Sequence, residues 1–339
     1  MSWLGTLGSA ALLLGACTSE DDTASSQGGT GGSGGSQPTG GSQPAGGSQP
    51  IGGGQPAGGG QPEGGSSPID NPYAGYPTWC KVTVHTHPAK TSGTALAAAY
   101  SALDYDLIFF TDHDYDPQTD PVTVPGMVVV RGEEVSTDAG HCNALGTTAY
   151  IDPDMSRQET IDAAAAQGAL LQVNHPSRYG VTPAELDALT GLWGLEIKNE
   201  SQNSPDDIVL WDSQLAQRKR LMGTFSDDAH DDGDVGRGWL MVNTPDECSA
   251  TSVMANMANG NFYDTEGPSL AITVSGNTIS VTSDTATTIE WYREGVTLLQ
   301  STDAATDSYT ITGSEIFVRI VAFDSDDNVA MSMPLFTNE

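Results

Sequence analysis

The chain has 339 residues and a net charge of −32, from 44 acidic and 12 basic residues. A charge of this sign and size argues against nucleic acid as a partner, because the phosphate backbone would be repelled. It also means that an anionic substrate could be held only by metal ions and a few local cations.

The first 17 residues have the pattern of an export signal. Residues 4–14 form an apolar run that is too short for a permanent membrane helix and is typical of a signal peptide. The next residues, Leu14-Gly15-Ala16-Cys17, resemble the bacterial lipobox, in which the cysteine is acylated. We therefore predict an exported lipoprotein that is anchored to a membrane through Cys17. Thr18 stands where inner-membrane lipoproteins carry aspartate, which favours the outer membrane or cell surface. An ordinary signal peptide with an incidental cysteine is the alternative.

Residues 18–70 consist largely of repeated Gly-Gly-Ser-Gln-Pro and Gly-Gly-Gly-Gln-Pro units. Such a composition has almost no apolar surface to bury, so it cannot form a packed core. We expect this segment to be a disordered tether between the anchor and the folded part.

Residues 71–265 alternate between short apolar runs and amphipathic stretches. Strands are predicted at 80–87, 106–111, 127–134, 170–173, 194–198, 221–225 and 239–243, and helices at 95–103, 158–167, 183–189, 205–218 and 250–258. Strands that alternate with helices of about ten residues predict βα units with parallel pairing. About seven such units predict an α/β fold, a small distorted (β/α)7 barrel. In such barrels the chemistry lies at the C-terminal ends of the strands.

Residues 266–339 have a different pattern. Five runs alternate apolar and polar residues, at 270–274, 278–282, 288–293, 308–311 and 316–323, with turn signals between them and no helix. We expect an all-β, immunoglobulin-like sandwich here. This region has no histidine and no cysteine, so we assign it no chemistry.

Three cysteines remain after the lipobox: Cys80, Cys142 and Cys248. An oxidising compartment would allow one disulfide bond and leave one thiol. The pairing preferred here is Cys80–Cys142, and the other pairings stay open.

The six histidines all lie at the ends of predicted strands or in adjacent loops, with acidic residues between them. The motifs are His85-Thr86-His87, Thr111-Asp112-His113-Asp114, Gly132-Glu133-Glu134, His141 in a loop, Asn174-His175-Pro176 and Asp228-Ala229-His230. Side chains two apart on a strand share one face, so the first and last motifs each present a pair of ligands. A lone histidine is usually structural, but a converging set of imidazoles and carboxylates suits divalent Zn, Mn or Fe.

The order and approximate spacing of these motifs across residues 80–230 resemble those of the polymerase-and-histidinol-phosphatase (PHP) family. Further on, Gly238-Trp239, Asn261-Phe262-Tyr263 and Glu266-Gly267-Pro268, followed by a sandwich, resemble one branch of that family. That branch includes secreted members and hydrolases of carbamate and aryl esters. The resemblance implies a distorted seven-stranded barrel with two or three metal ions at its mouth.

The resemblance also implies a ligand set. The first metal would be held by His85, His87, Glu134 and Asp228; Glu134 would bridge to a second metal held by His141 and His175; His113 and His230 would face a third. Glu133 and Asp227 are alternatives that differ by one position. The family commonly has an acidic or histidine ligand where this chain has Ser92, so the site is expected to be dinuclear or to hold an exchangeable third metal.

The same resemblance implies a metal-bridging hydroxide as nucleophile. Asp228 could orient this water, and His230, His113 or solvent could protonate the leaving group. Arg178, three residues after His175, could hold a phosphoryl or carbonyl oxygen, or it could be an ordinary surface arginine. Lys90 and Lys198 are weaker candidates for that role.

Three functions stay open at this stage. The favoured one is a metal-dependent phosphoesterase that cleaves small phosphate mono- or diesters. The alternatives are a carboxylic-ester, carbamate or amide hydrolase that uses the same metals, and a non-catalytic metal-binding surface protein. With so few cations we expect a small ester substrate rather than a polyanion. The oligomeric state stays open.

Overall fold

The computed structural model describes residues 68–88, 93–115, 122–200 and 204–338. The export signal with Cys17, nearly all of the predicted tether, Lys90 and Ser92 lie outside these residues. Among the helices that are described, none has the length and apolar character that crossing a membrane requires.

Strands dominate the described part of the chain, which contains eighteen of them and five α-helices. The strands are β1 Ile69–Asp70, β2 Thr78–Thr83, β3 Leu107–Phe110, β4 Val128–Thr137, β5 Gly140–Leu145, β6 Leu170–Val173, β7 Gly194–Asn199, β8 Met222–Ser226, β9 Trp239–Thr244, β10 Phe262–Thr265, β11 Ala271–Ser275, β12 Thr278–Thr282, β13 Thr288–Arg293, β14 Thr297–Thr302, β15 Thr306–Thr310, β16 Phe317–Phe323, β17 Val329–Ser332 and β18 Leu335–Thr337. The helices are α1 Gly93–Ser101, α2 Arg157–Ala166, α3 Pro183–Asp187, α4 Pro205–Leu215 and α5 Ala250–Ala258, and a 3-10 helix covers Pro176–Tyr179.

Fifteen of the strands form one large mixed sheet. Its main path is β1-β18-β16-β17-β10-β9-β2-β3-β4-β5-β6-β7-β8, and β13 and β14 join it beside β16. Pairing is parallel in only two runs, β2-β3-β4 and β6-β7-β8. The remaining strands, β11, β12 and β15, form a separate antiparallel sheet.

The predicted distorted (β/α)7 barrel is wrong. Its strands would all be parallel, but β5 is antiparallel to both β4 and β6, and β9 is antiparallel to β2. The physical reason is local: only Asp138 and Ala139 lie between β4 and β5, a connection far too short for the helical crossover that parallel strands need. The hairpin also places His141 on a strand and not in a loop, opposite Ser136.

The helices begin where the sequence supplies capping groups. Ser156 and Glu159 form a capping box at the start of α2, and Thr182 and Glu185 form another at α3. Helix α4 buries Ile208, Trp211 and Leu215, which lie on one face of the helix, and this helix packs on β7.

The C-terminal strands agree in part with the predicted immunoglobulin-like sandwich. Ile279 and Val281 on the small sheet share a buried core with Ile289, Trp291 and Ile320 from the large sheet. This packing is compatible with a sandwich. Strand β17 nevertheless pairs with β10, so the strands on both sides of residue 266 belong to the same sheet.

The expected Cys80–Cys142 disulfide is wrong, because the bond joins Cys80 to Cys248 and Cys142 is a buried free thiol. Cys80 lies on β2 and Cys142 on β5, with β3 and β4 between them in the sheet. Three strand spacings amount to roughly 14 Å, whereas the Cα atoms of bridged cysteines lie within about 7 Å of each other.

Candidate metal centre

Eight side chains that the sequence singled out converge at one place. They are His85, His87, His113, Glu134, His141, His175, Asp228 and His230, and each belongs to at least one cluster whose nitrogen or carboxylate atoms all lie within 4.8 Å of one another. The convergence follows from the sheet order, since these residues lie on, or just after, β2, β3, β4, β5, β6 and β8.

Two isolated bridges bring distant motifs side by side. Thr86 pairs with Ala229, and the amide of His87 donates to the carbonyl oxygen of Ala229 over 2.8 Å. The histidine pair after β2 therefore faces the acidic pair after β8. A second bridge joins His113 to Glu134.

The innermost group consists of His85, His87, Glu134 and Asp228. Asp228 Oδ1 lies 2.9 Å from His87 Nε2 and 3.3 Å from His85 Nε2, and the two Nε2 atoms are 3.1 Å apart. Glu134 Oε2 lies 3.3 Å from each of the same nitrogens. Ligand atoms about 2.1 Å from one ion, at angles of 90–109°, are separated by roughly 3.0–3.4 Å. The spacing is therefore that of ligands around one metal ion.

Glu134 faces a second group with its other oxygen. Oε1 lies 3.0 Å from His141 Nδ1 and 3.4 Å from His175 Nε2, and it accepts a hydrogen bond from the side-chain amide of Asn174. The two oxygens of one carboxylate thus point to two different sets of imidazoles, as a bridging ligand must.

A third group lies toward solvent. The rings of His113 and His230 each stack on the ring of His87, with centroid distances of 4.6 and 4.2 Å. His230 Nδ1 donates to the backbone oxygen of Asp228, so Nε2 is the nitrogen with which this ring could bind a metal ion. The side chains of His113 and His230 are 38% and 29% exposed, so this group forms the open side of the centre.

The donor set fits divalent metal ions. Glu134 Oε2 is buried among imidazole nitrogens but makes no well-directed hydrogen bond to any described group, and a cation is the partner that this arrangement lacks. Neutral imidazoles and carboxylates are the ligands that Zn, Mn and Fe accept. His85, His87, Glu134 and Asp228 would hold one ion, and Glu134, His141 and His175 would hold another.

The buried imidazoles and carboxylates of the cluster shift one another's pKa values. Burial opposes charge on His85, but Asp228, Glu134 and Glu196 together raise its pKa well above the ordinary value. Burial raises the pKa of Glu134, yet the charge on His85 and hydrogen bonds from His141 and other histidines lower it well below the usual range. The pKa of His87 falls to about 4, mainly because the ring is buried. The buried carboxylates here are stabilised by positive charge nearby, which a bound divalent cation could supply in place of protonated histidine.

Three of the seven non-glycine residues that have positive φ angles in the described part of the chain lie at the site. Asp114, His175 and Asp228 have positive φ angles of 49°, 28° and 49°. Such conformations are unfavourable for residues other than glycine and are common at functional sites. The strained backbone aims His175 and Asp228 at the cluster.

The structure also distinguishes the neighbouring acids. Glu133 points away from the cluster and accepts a hydrogen bond from the amide of Ile151. Asp227 accepts hydrogen bonds from the amides of Gly236, Arg237 and Gly238 and from Tyr100. Both acids hold loops in place, whereas Glu134 and Asp228 face the cluster.

Sequence reasoning missed Glu196, which lies on β7 and is fully buried. Its Oε1 accepts from His85 Nδ1 at 2.8 Å and from the hydroxyl of Ser226, and its Oε2 accepts from the amide of His175 at 2.7 Å and from Asn199 at 3.0 Å. Asn199 also reaches Asp228 Oδ2. Glu196 therefore fixes His85 with its Nδ1 protonated and its Nε2 facing the metal position. The available signal was a carboxylate between the apolar residues Leu195 and Ile197 of a predicted strand.

Tyr179 was also missed. It ends the 3-10 helix that follows His175, and its Oη lies 2.7 Å from His141 Nε2.

The predicted cations have different surroundings. Arg178 lies on the 3-10 helix beside the site, with its guanidinium 5.7 Å from the ring centroid of Tyr179. Lys198 is buried and forms ion pairs with Glu200 and Glu266, so its charge is already balanced by protein carboxylates.

Comparisons with known proteins do not identify a family for this chain. No family model matches the sequence, and no curated protein does. Among solved structures, the chain is similar to the crystal structure of PsfC from Pseudomonas syringae PB-5123, at 13% sequence identity and a TM-score of 0.42, over 52% of this chain and 88% of that one. A likeness this distant supports no conclusion about function.

Proposed function

We propose that this chain is a metal-dependent hydrolase that cleaves phosphate mono- or diesters of small molecules. The observation that carries the proposal is Glu134, whose two oxygens face two separate groups of imidazoles. This is the arrangement of a dinuclear centre. The resemblance of the motifs to the PHP family supports the same proposal. The predicted lipoprotein signal would place such an enzyme outside the cytoplasm.

Two metal ions at such a centre lower the pKa of a bound water and stabilise negative charge on the oxygens of the reacting group. The chain's own residues would do the rest. Asp228 accepts a hydrogen bond from Asn199 at Oδ2, which would keep the carboxylate in a fixed orientation. It can therefore orient a water molecule next to the substrate. In a dinuclear centre, where no third ion occupies them, His230 or His113 on the open side could give a proton to the leaving oxygen.

A carboxylic-ester, carbamate or amide hydrolase is the second candidate. The ion pairs of Lys198 with Glu200 and Glu266 favour it, because they remove one of the few cations from the recognition of a phosphate. The same two ions would stabilise the oxyanion of an acyl substrate.

The test compares aryl phosphate monoesters, aryl phosphodiesters and aryl carboxylic esters with the purified protein loaded with Mn or Zn. Glu134→Gln should lower kcat at least about 100-fold, because it removes a ligand and not merely a supporting group. Glu133→Gln, the same change at the next residue, should retain most of the activity. His175→Ala and a chelator serve as further controls.

Turnover of the phosphates that Glu134→Gln and the chelator abolish supports the phosphoesterase. Turnover of the carboxylic esters alone favours the second candidate. If metal binds and no substrate turns over, the protein is a non-catalytic metal-binding protein and the hydrolase proposal is wrong.

A further inference from the structure

Tyr179 borders the open side of the metal centre. His85 and His87 are buried, whereas the side chain of His141 is 19% exposed and those of His113 and His230 are more exposed still. A substrate must therefore approach from the side of these three rings. The ring of Tyr179 stands beside this approach, with its centroid 4.9 Å from that of His141.

The position of the ring is set by packing and not by its hydroxyl. A Cβ added at Gly140 would lie 2.9 Å from Tyr179 Cγ, so the ring packs directly against the backbone of the β4–β5 turn. Gly180, with a φ of 62°, ends the 3-10 helix immediately afterwards. Removing the hydroxyl alone should leave the ring where it is.

The hydrogen bond to His141 determines where the tyrosine proton can point. His141 Nδ1 lies 3.0 Å from Glu134 Oε1 and so faces the metal position. An imidazole that binds a cation through Nδ1 carries its proton on Nε2. With a cation at this position, that N–H would donate to Tyr179 Oη, which lies 2.7 Å away. The phenol oxygen then accepts from His141, and its own O–H is available to another acceptor.

We propose that the Tyr179 hydroxyl donates a hydrogen bond to an oxygen of the tetrahedral phosphoryl group at the open side of the centre. This inference rests on the proposed function and adds a substrate contact to it. The guanidinium of Arg178 lies beside the same ring, 5.7 Å from its centroid, and adds positive charge on that side. The Tyr179 hydroxyl and the Arg178 guanidinium together favour a substrate with one anionic group, placed between the metal centre and the ring of Tyr179.

The experiment uses Tyr179→Phe, which keeps the ring and removes only the donor, in the full metal-loaded protein. Tyr76→Phe is the matched control, because Tyr76 is an exposed tyrosine whose backbone bonds to Asn243, outside the metal centre. Three quantities are measured for each: the affinity for Mn, the Kd of inorganic phosphate by calorimetry, and kcat and KM with an aryl phosphate.

We expect Tyr179→Phe to weaken phosphate binding about 10-fold and to lower kcat roughly 10- to 100-fold, since one donor to a charged oxygen is lost. Its metal affinity should stay within about twofold of wild type, well short of the loss caused by removing a group that orients a ligand. Tyr76→Phe should leave all three quantities unchanged.

Each contrary result has its own meaning. A parallel loss of metal affinity would show that Tyr179 positions His141 and does not contact substrate, which overturns the inference. Unchanged phosphate affinity and kcat would overturn it as well, while the hydrolase proposal would stand. If the wild type turns over no substrate, the proposed function fails, and the phosphate Kd then tests the hydrogen bond from Tyr179 by itself. Weaker phosphate binding by Tyr179→Phe than by wild type would support this contact. Equal binding by the two proteins, or no binding by either, would refute it.

Discussion

Replacing Glu196 by glutamine should weaken metal binding even though Glu196 is not placed as a ligand. Both carboxylate oxygens accept hydrogen bonds from groups that converge on it: Oε1 from His85 and Ser226, Oε2 from the His175 amide and Asn199. A glutamine fills the same volume but presents an NH2 group on one side. That group must face one of the two sets of donors.

The two orientations of the amide have different costs. With NH2 at the Oε2 position, it opposes the N–H groups of His175 and Asn199, and neither can become an acceptor. With NH2 at the Oε1 position, the hydroxyl of Ser226 can turn and His85 can accept at Nδ1 by moving its proton to Nε2. The second orientation is therefore favoured, and it protonates the nitrogen that faces the metal position.

Loss of such a supporting group typically weakens metal binding 10- to 100-fold, which corresponds to about 1.4–2.7 kcal/mol. The assay is a competition titration of Zn or Mn against a chromophoric chelator, with the absorption spectrum of bound Co²⁺ as a check on ligand geometry. Glu290→Gln is the matched control, because Glu290 is a buried carboxylate in the C-terminal strands that accepts from Tyr292 and Ser301. The reasoning fails if Glu196→Gln and Glu290→Gln bind metal with the same affinity as wild type.

Two further predictions concern stability. Removing the disulfide with Cys80→Ala and Cys248→Ala opens a link across 168 residues of sequence, and the free energy of unfolding in urea should fall by about 3–5 kcal/mol; a reductant should then destabilise the wild type and leave the double variant unaffected. Burial raises the pKa of Glu315, but hydrogen bonds from Tyr309 and Thr312 outweigh it and lower the pKa from 4.5 to about 2. Its stabilisation is therefore complete above pH 4.5 and is lost as the pH falls toward 2, with a magnitude on the order of 2 kcal/mol. Unfolding curves at pH 7 and pH 3 should show a smaller loss for Glu315→Gln, and parallel losses in variant and wild type would contradict the assignment.

The local features of this chain could be read from its sequence. Strand β6 and strands β12 and β13 occur at the predicted residues, because their apolar patterns and flanking turns are local signals. The convergence of the candidate ligands was foreseeable for a similar reason. Alternation along a strand places residues two apart on one face, and the turns after parallel neighbours, as in β2-β3-β4 and β6-β7-β8, meet at one edge of a sheet.

The direction of each strand could not be read in this way. Strand β5, Gly140–Leu145, contains His141 and Asn143 and lacks a strong apolar pattern. Its pairing with β4 is set by the two-residue connection and by the tertiary environment, and missing it led to the barrel prediction. The disulfide prediction was wrong for the same reason, because the distance between Cys80 and Cys142 depends on the order of the strands in the sheet. Glu196 was missed because the two histidines that it contacts, His175 and His85, lie 21 and 111 residues away in sequence.

The pairing of β10 with β17 limits how this protein could be divided. Strand β10 is bonded to β9 on one side and to β17 on the other, and Glu266 accepts from the amide of Val329. A chain cut after residue 266 would leave β10 as an unprotected edge, open to pairing with other chains. The same cut would expose Tyr263, which packs in the core shared with the C-terminal strands. The C-terminal segment is thus unsuited to exchange between proteins as a separate unit. Recombination at this junction would yield aggregation-prone products and not a smaller folded protein.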